Sequence, residues 1–241
     1  MKHKASVIVP SLFIALAMCA CGISLPAPDT AETSNTVEET VIEQPSDETI
    51  TDDSTFSSLD ETAAPTDSDG RNILVAYFSR ADENYNVGTV EKGNTQMIAE
   101  YIAGEVGADS FHIETVTPYP ANYEECCDTA KQELADNARP ELSGTVDMEQ
   151  YDIIFLGYPI WWGDMPMAVY TFMDSYDFSG KTVIPFNTHE GSGASGTYSA
   201  IEDYLPGAQV QEGLAVQGRD AQEFSNETQQ SVRDWLDELG F

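Results

Sequence analysis

Positive charge is scarce in this chain: ten Lys and Arg stand against 42 Asp and Glu, a formal net charge of −32. Nucleic-acid affinity comes largely from neutralising phosphates with Lys and Arg, so no nucleic-acid partner is expected. A basic protein partner, or plain surface solubility, fits such a charge. Cysteine is rarer still. Of four, Cys19 and Cys21 lie near the N-terminus and Cys126 and Cys127 sit side by side. Neighbours on a helix point about 100° apart, so a bridge between them would be strained. Their spacing matches neither a zinc site nor a thioredoxin-like motif, leaving two unpaired thiols, at least one of them packed. His112 and His189 stand far apart in sequence, and no metal site is expected. The apolar run Val7 to Met18 falls short of the roughly 20 residues that span a bilayer.

That run follows Lys2 and Lys4 and ends in Met18-Cys19-Ala20-Cys21-Gly22. It resembles a bacterial lipoprotein signal peptide over 1–21, with Cys21 the lipid acceptor because small Ala20 precedes it. Plain secretion or an uncleaved anchor remain alternatives. The mature protein is expected outside the cytoplasmic membrane, attached to it. Residues 22–70 hold thirteen Asp and Glu, no Lys or Arg, four Pro and one aromatic, Phe56. Such a segment cannot bury enough apolar surface to offset its ordering entropy and reads as an acidic disordered tether. The remaining 171 residues, 71–241, suffice for one domain with a single core.

Within that domain the hydrophobic pattern alternates between strand and helix periods. Strands are expected over Asn72–Ser79, Asp109–Val116, Ile153–Leu156, Lys181–Asn187 and Ala208–Val216. Helices are expected over Gly93–Gly107, Tyr123–Asn137, about Ala168–Tyr176, Gly196–Leu205 and Asn226–Leu239. Alternation of this kind implies a parallel sheet with right-handed crossovers and helices on both faces. Five strands make 2-1-3-4-5 the natural order of a three-layer α/β domain, with ligands bound beyond the carboxyl ends of the strands.

Three loops lie at those ends. After the first strand come Ser79-Arg80, a detour over 81–92, and Gly93-Asn94-Thr95 opening a helix. A helix N-terminus offers unpaired N–H groups and a positive dipole end that suit a phosphate, although Ser or Thr at such a position is also a common cap. After the central strand, Gly157 to Pro166 (GYPIWWGDMP) presents Trp161 and Trp162, and Gly163 and Pro166 argue against a regular helix. These rings suit a flat aromatic ligand. The alternative is that one Trp fills the core and the other packs on a neighbouring helix. After the fourth strand comes Thr188 to Gly193 (THEGSG). Gly191-Ser192-Gly193 and Ser195 near His189 suggest a serine hydrolase only superficially, because the Gly-x-Ser-x-Gly elbow is missing.

YFSR with GNT, then LGYPIWWGDMP, then PFNTHEGSG resemble the three ligand loops of the flavodoxin family, in order and across 71–241. The resemblance implies noncovalent flavin mononucleotide (FMN). Its phosphate would lie at Ser79, Arg80, Asn94 and Thr95. Its isoalloxazine ring would lie between Tyr158, Pro159, Ile160, Trp161 and Trp162 on one side and Thr188, His189, Glu190, Gly191 and Gly193 on the other. The insert 81–92 departs from compact flavodoxin loops, and Asp82, Glu83 and Glu91 would oppose phosphate if turned inward. The flavin would carry the electron chemistry and the protein would supply position and electrostatics. Two roles are expected of such a domain: an electron carrier docking to a redox partner protein, or an NAD(P)H-dependent oxidoreductase reducing a small acceptor such as a quinone. A binding module that keeps the fold without redox function is the third.

Overall fold

The computed structural model describes residues 70–241. The expected signal peptide 1–21 with its acceptor Cys21, and all of the expected tether except Gly70, lie outside the described residues. The chain runs through β1 (Ile73–Tyr77), a hairpin of β2 (Asp82–Asn84) and β3 (Gly88–Val90), α1 (Asn94–Val106), β4 (Asp109–His112) and α2 (Tyr123–Asp136). A short 3-10 turn at Met148–Gln150 leads into β5 (Ile153–Pro159), α3 (Met167–Ser175), β6 (Thr182–His189) and α4 (Thr197–Tyr204). Two short strands, β7 (Gln209–Val210) and β8 (Leu214–Gln217), precede α5 (Gly218–Glu223) and α6 (Asn226–Leu239).

The sheet order is β4-β1-β5-β6-β7, with β8 also paired to β6 and every pairing parallel. Setting the β2–β3 hairpin aside as an insert, this is the expected 2-1-3-4-5 order, with β7 and β8 sharing the fifth place. All five residues of β1 and the first six of β5 are buried, as unbroken apolar strands covered on both faces must be. Side chains alternate between two clusters. Leu74, Ala76, Ile154, Leu156 and Tyr158 pack toward α3 and α4. Ile73, Val75, Tyr77, Ile153 and Phe155 pack toward α1 and α6. Local chemistry fixes the helix ends. Asn122 caps α2 by accepting from Glu125 N, Ser225 caps α6 by accepting from Thr228 N, and Gly240 ends α6 in the left-handed region.

The structure differs from expectation at three places. The fifth strand is broken, because the Glu212 carbonyl turns out of the sheet to accept from Trp235 Nε1 at 3.1 Å. Gly213 then passes so close beneath Tyr198 and Pro185 that no side chain fits there. The second strand stops at His112 as a parallel strand; beyond it Thr115 pairs antiparallel with Leu142. The insert 81–92 is a regular hairpin rather than an irregular detour, turned by Asn86 and Gly88 at positive φ.

Candidate functional site

The loops beyond β1, β5 and β6 and the β8–α5 junction meet at the carboxyl edge of the sheet. On the α1 side they build a small polar cradle. Ser79 Oγ accepts from Gln96 N at 3.0 Å, capping one amide of the first turn of α1. Gly93 lies so tight against this strand end that a Cβ would come 2.8 Å from the Arg80 carbonyl carbon, and closer still to its oxygen and to Ser79 Oγ. Buried Thr95 and Thr188 share a hydroxyl–hydroxyl bond of 2.8 Å, tying the start of α1 to the end of β6. Asn94 and Glu190 both press against Gly218, where a Cβ would collide with each. Asn94 Oδ1 and Glu190 Oε1 are shielded from solvent there and have no hydrogen-bond partner. A buried acceptor without a donor costs about 1–3 kcal/mol, so this pair marks a place where a ligand donor would be rewarded.

The hairpin braces the cradle. Asn86 Nδ2 donates to the other oxygen of Glu190 at 3.2 Å. Of the insert's acidic side chains, Glu83 turns away from α1: its Oε2 accepts from Tyr123 N at 2.9 Å and Asn122 Nδ2 at 3.2 Å, at the start of α2. Lys92 pairs with Glu100 at 2.6 Å on the surface. Arg80 is placed differently from expectation. Its guanidinium donates to the carbonyls of Ala81 at 2.9 Å, Ala121 at 3.4 Å and Glu83, stapling the hairpin to the segment before α2.

In the β6 loop, His189 Nδ1 accepts from Gly191 N at 2.9 Å, which puts the proton of the neutral ring on Nε2. Fully buried Asn187 donates to the Gly193 carbonyl at 3.2 Å and accepts from Tyr198 OH at 2.6 Å, holding the glycine turn.

The β5 loop turns the other way. Tyr158 is fully buried, and its hydroxyl donates to Thr197 Oγ1 at 2.8 Å; burial pushes that hydroxyl far above its usual range. It is a core residue, and its ring faces no loop ligand. Beyond Pro159, Ile160 N donates to Thr188 O at 2.8 Å. Trp161 and Asp164 then exchange backbone bonds of 2.8 and 3.0 Å around Trp162 and Gly163, whose φ values are 53° and 81°. This tight turn sends the Trp161 ring onto the core and the Trp162 ring onto α2. Trp161 meets Phe78 and Tyr119 edge-on, and Trp162 Nε1 donates to Cys127 O at 3.0 Å with Lys131 over its ring. One Trp on the core and one on a neighbouring helix is thus the arrangement found.

Between α2, the hairpin and this turn lies a cavity of about 560 Å³, walled by Trp161, Trp162, Tyr123, Cys126, Cys127 and Arg80. None of Thr188 to Gly193 lines it. Most of the predicted residues fall in two groups, with Tyr158 in the core and Pro159, His189, Gly191 and Gly193 in neither. Ser79, Asn94, Thr95, Thr188 and Glu190 come together in the cradle, while Arg80, Ile160, Trp161 and Trp162 line the cavity. Both thiols are free, Cys126 buried and Cys127 partly so, and burial raises the Cys126 thiol despite nearby Arg80. Among the described residues no cluster of three or more His, Cys, Asp or Glu could hold a metal ion. Gly218, Asn86 and Asn187 were missed in the sequence; a glycine at a strand-to-helix junction was the one signal available.

A parallel sheet of this order, with its polar cradle at the carboxyl edge and against a helix N-terminus, defines an α/β domain of the nucleotide-binding type. A family model described as flavodoxin matches residues 72–239. The chain belongs to the flavodoxin family. Among solved structures it is similar to a protein of Bacteroides eggerthii DSM 20697 described as a flavoprotein, 28% identical over 71% of this chain and 99% of that one, with a TM-score of 0.58. A second such protein, from Bacteroides uniformis ATCC 8492, is 30% identical over 69% and 98%, with a TM-score of 0.56. A flavoprotein of Lactobacillus acidophilus NCFM, solved in complex with FMN, is 21% identical over 65% and 99%, with a TM-score of 0.49. No curated protein matches the sequence.

Proposed function

We propose that this chain binds FMN noncovalently and transfers electrons, held outside the cytoplasmic membrane by lipid on Cys21. Flavodoxin membership supports the cofactor, and the observation that carries it is the cradle at the start of α1. The first-turn amides of Asn94 and Thr95 suit the phosphate, which the close approach of Gly93 keeps free of side-chain bulk. Asn94 Oδ1 and Glu190 Oε1, two buried acceptors, call for donors, and the hydroxyls of the ribityl chain are donors where phosphate oxygens are not. His189, with its proton on Nε2, offers one further donor at the same edge. When bound, the isoalloxazine supplies one- and two-electron chemistry; the chain binds it, orients it and excludes water. The signal-like N-terminus supports the tethering, and the acidic surface supports docking of a basic redox partner protein.

A flavin titration of the purified full-length chain tests this reading. Saturable FMN binding, far tighter than that of riboflavin, is expected from quenching of flavin fluorescence. Equal binding of both would remove the phosphate role of the α1 start. Binding of neither by a folded chain would leave only an interaction module. A second role, reduction of a small flat acceptor, is favoured by the aromatic cavity beside α2.

A further inference from the structure

The inserted hairpin is anchored at both ends. Near its start, Glu83 N donates to Ala121 O at 3.2 Å and the Glu83 carboxylate accepts from Tyr123 N, which ties it to the start of α2. Tyr85 adds a stacked contact with Tyr123, ring centroids 5.8 Å apart. At its end, Lys92 O accepts from Gln222 Nε2 of α5 at 2.8 Å. Between these ties β2 and β3 pair from Asp82–Val90 to Asn84–Gly88, so the turn they carry is held from both sides. The hairpin thus links the start of α2 to α5, and its turn sets Asn86 beside the β6 loop.

Asn86 serves both the turn and that loop. Its φ of 62° lies in the left-handed region, where Asn and Gly are favoured. Its Nδ2 donates to Glu190 Oε2 at 3.2 Å, and among the described residues this is the one hydrogen bond that the Glu190 carboxylate accepts. Such a carboxylate needs a reason to stay. A glutamate on a surface loop ordinarily turns its charge to water, yet Glu190 keeps Oε1 shielded against Gly218 without a donor. The nearby cations point elsewhere: the Arg80 guanidinium bonds backbone carbonyls and Lys92 pairs with Glu100.

We infer that Asn86 is a positioning residue for the ligand's polyol chain: by holding Glu190 Oε2, it keeps Oε1 turned into the cradle, with Asn94 Oδ1, as a preformed acceptor for ribityl hydroxyls. This assignment rests on the FMN reading above and says what the insert contributes to it. An acceptor fixed before binding spares the ligand the cost of ordering it. Two buried acceptors that lack donors also favour a guest with hydroxyls in series over one with a bare alkyl chain. FMN and riboflavin share that polyol, so Asn86 acts on both alike.

Flavin-fluorescence quenching tests this on the full-length chain and three variants, each checked for folding by circular dichroism. Asn86→Gly keeps the left-handed turn and deletes the donor; FMN and riboflavin should weaken by the same factor, about three- to tenfold. Asn86→Asp also suits the turn but sets a carboxylate against Glu190, and the loss should be at least about tenfold. Asn86→Asp combined with Glu190→Gln reverses the bond: the glutamine Nε2 donates to the new aspartate while its Oε1 remains the acceptor in the cradle. That double variant should return FMN affinity to within about threefold of the parent, a rescue that a loosened hairpin would not give. FMN bound equally by the parent and both single variants, or a double variant no better than the weaker single, would overturn the assignment and leave the flavin reading intact. Weakening of FMN with riboflavin unchanged would move Asn86 to the phosphate and overturn it as well. A folded parent that binds no FMN would refute the flavin reading itself, and the assignment with it.

Discussion

Gly93→Ala is the sharpest perturbation of the cradle. The glycine sits at φ −68° and ψ 159°, where any residue is at ease, so the substitution costs nothing in backbone conformation. What it meets is matter. The new methyl would lie 2.8 Å from the Arg80 carbonyl carbon and nearer still to its oxygen and to Ser79 Oγ, two groups held by the end of β1 and the cap of α1. Backbone cannot rotate aside as a side chain can, so the β1 loop and the first turn of α1 must separate. Overpacking of this kind costs about 1–3 kcal/mol, and a domain of this size loses roughly 2–4 °C of melting temperature per kcal/mol. Gly104→Ala is the internal control. Gly104 lies in the same helix, exposed, with nothing within 4 Å of its would-be Cβ. Alanine there should stabilise by about 0.5–1 kcal/mol. The two substitutions are chemically identical and opposite in sign. Thermal unfolding of both, followed by flavin titration, completes the assay. Gly93→Ala should weaken FMN at least about tenfold and riboflavin much less, because the displaced amides face the phosphate. A Gly93→Ala chain with parental melting temperature and parental FMN affinity would refute the packing argument and the placement of the phosphate together.

Three further outcomes follow from the same contacts. Ser79→Ala removes the acceptor of the Gln96 amide, a cap worth about 1 kcal/mol, and thermal unfolding should register that loss with the α1 start loosened. Burial pushes the Glu133 carboxyl up, although the Tyr119 hydroxyl bonded to it at 2.6 Å pulls the other way. The folded state therefore holds that proton to higher pH than the unfolded chain. The stability it contributes is full below the unfolded value of about 4.3 and is lost as pH rises through the folded value. Glu133→Gln escapes that loss, so its melting temperature should exceed the parent's at pH 7 and converge with it at pH 3; a pH-independent difference would contradict the assignment. Native alkylation with iodoacetamide should label Cys127 before Cys126, because Cys126 is 4% exposed and burial raises its thiol; fragment-ion mapping of the shared peptide distinguishes them.

The elements that could be read from sequence are those whose periodicity and punctuation agree. The helix Asn226–Leu239 carries its buried stripe at Val232, Trp235 and Leu236, begins at a serine cap and ends at a left-handed glycine, and its bounds match expectation. The unbroken apolar strands β1 and β5 were equally plain. What was hidden depended on contacts between distant segments. The fifth strand reads as continuous until the Glu212 carbonyl is drawn off by Trp235, more than twenty residues away. The cradle needed Gly218, whose place at a strand-to-helix junction is its one local mark; that it must clear Asn94 and Glu190 is set by distant segments. The direction of the indoles could not be read either. Two adjacent tryptophans say only that rings are present, whereas the left-handed turn at Trp162 and Gly163 accompanies one ring on the core and the other on α2.

Arg80 shows how far local chemistry can mislead about an anion site. A lone arginine beside a glycine-led helix start, in a chain this acidic, reads as a phosphate ligand. Its worth to a phosphate, however, depends on donors left over after folding, and three hydrogen bonds from its guanidinium already go to backbone carbonyls. The inserted hairpin brings the carbonyls of Ala81, Glu83 and Ala121 around the guanidinium. On the proposed reading, the cradle binds the phosphate chiefly through the backbone amides at the start of α1. Gly93, which lets the backbone close in, would then matter more to the site than Arg80.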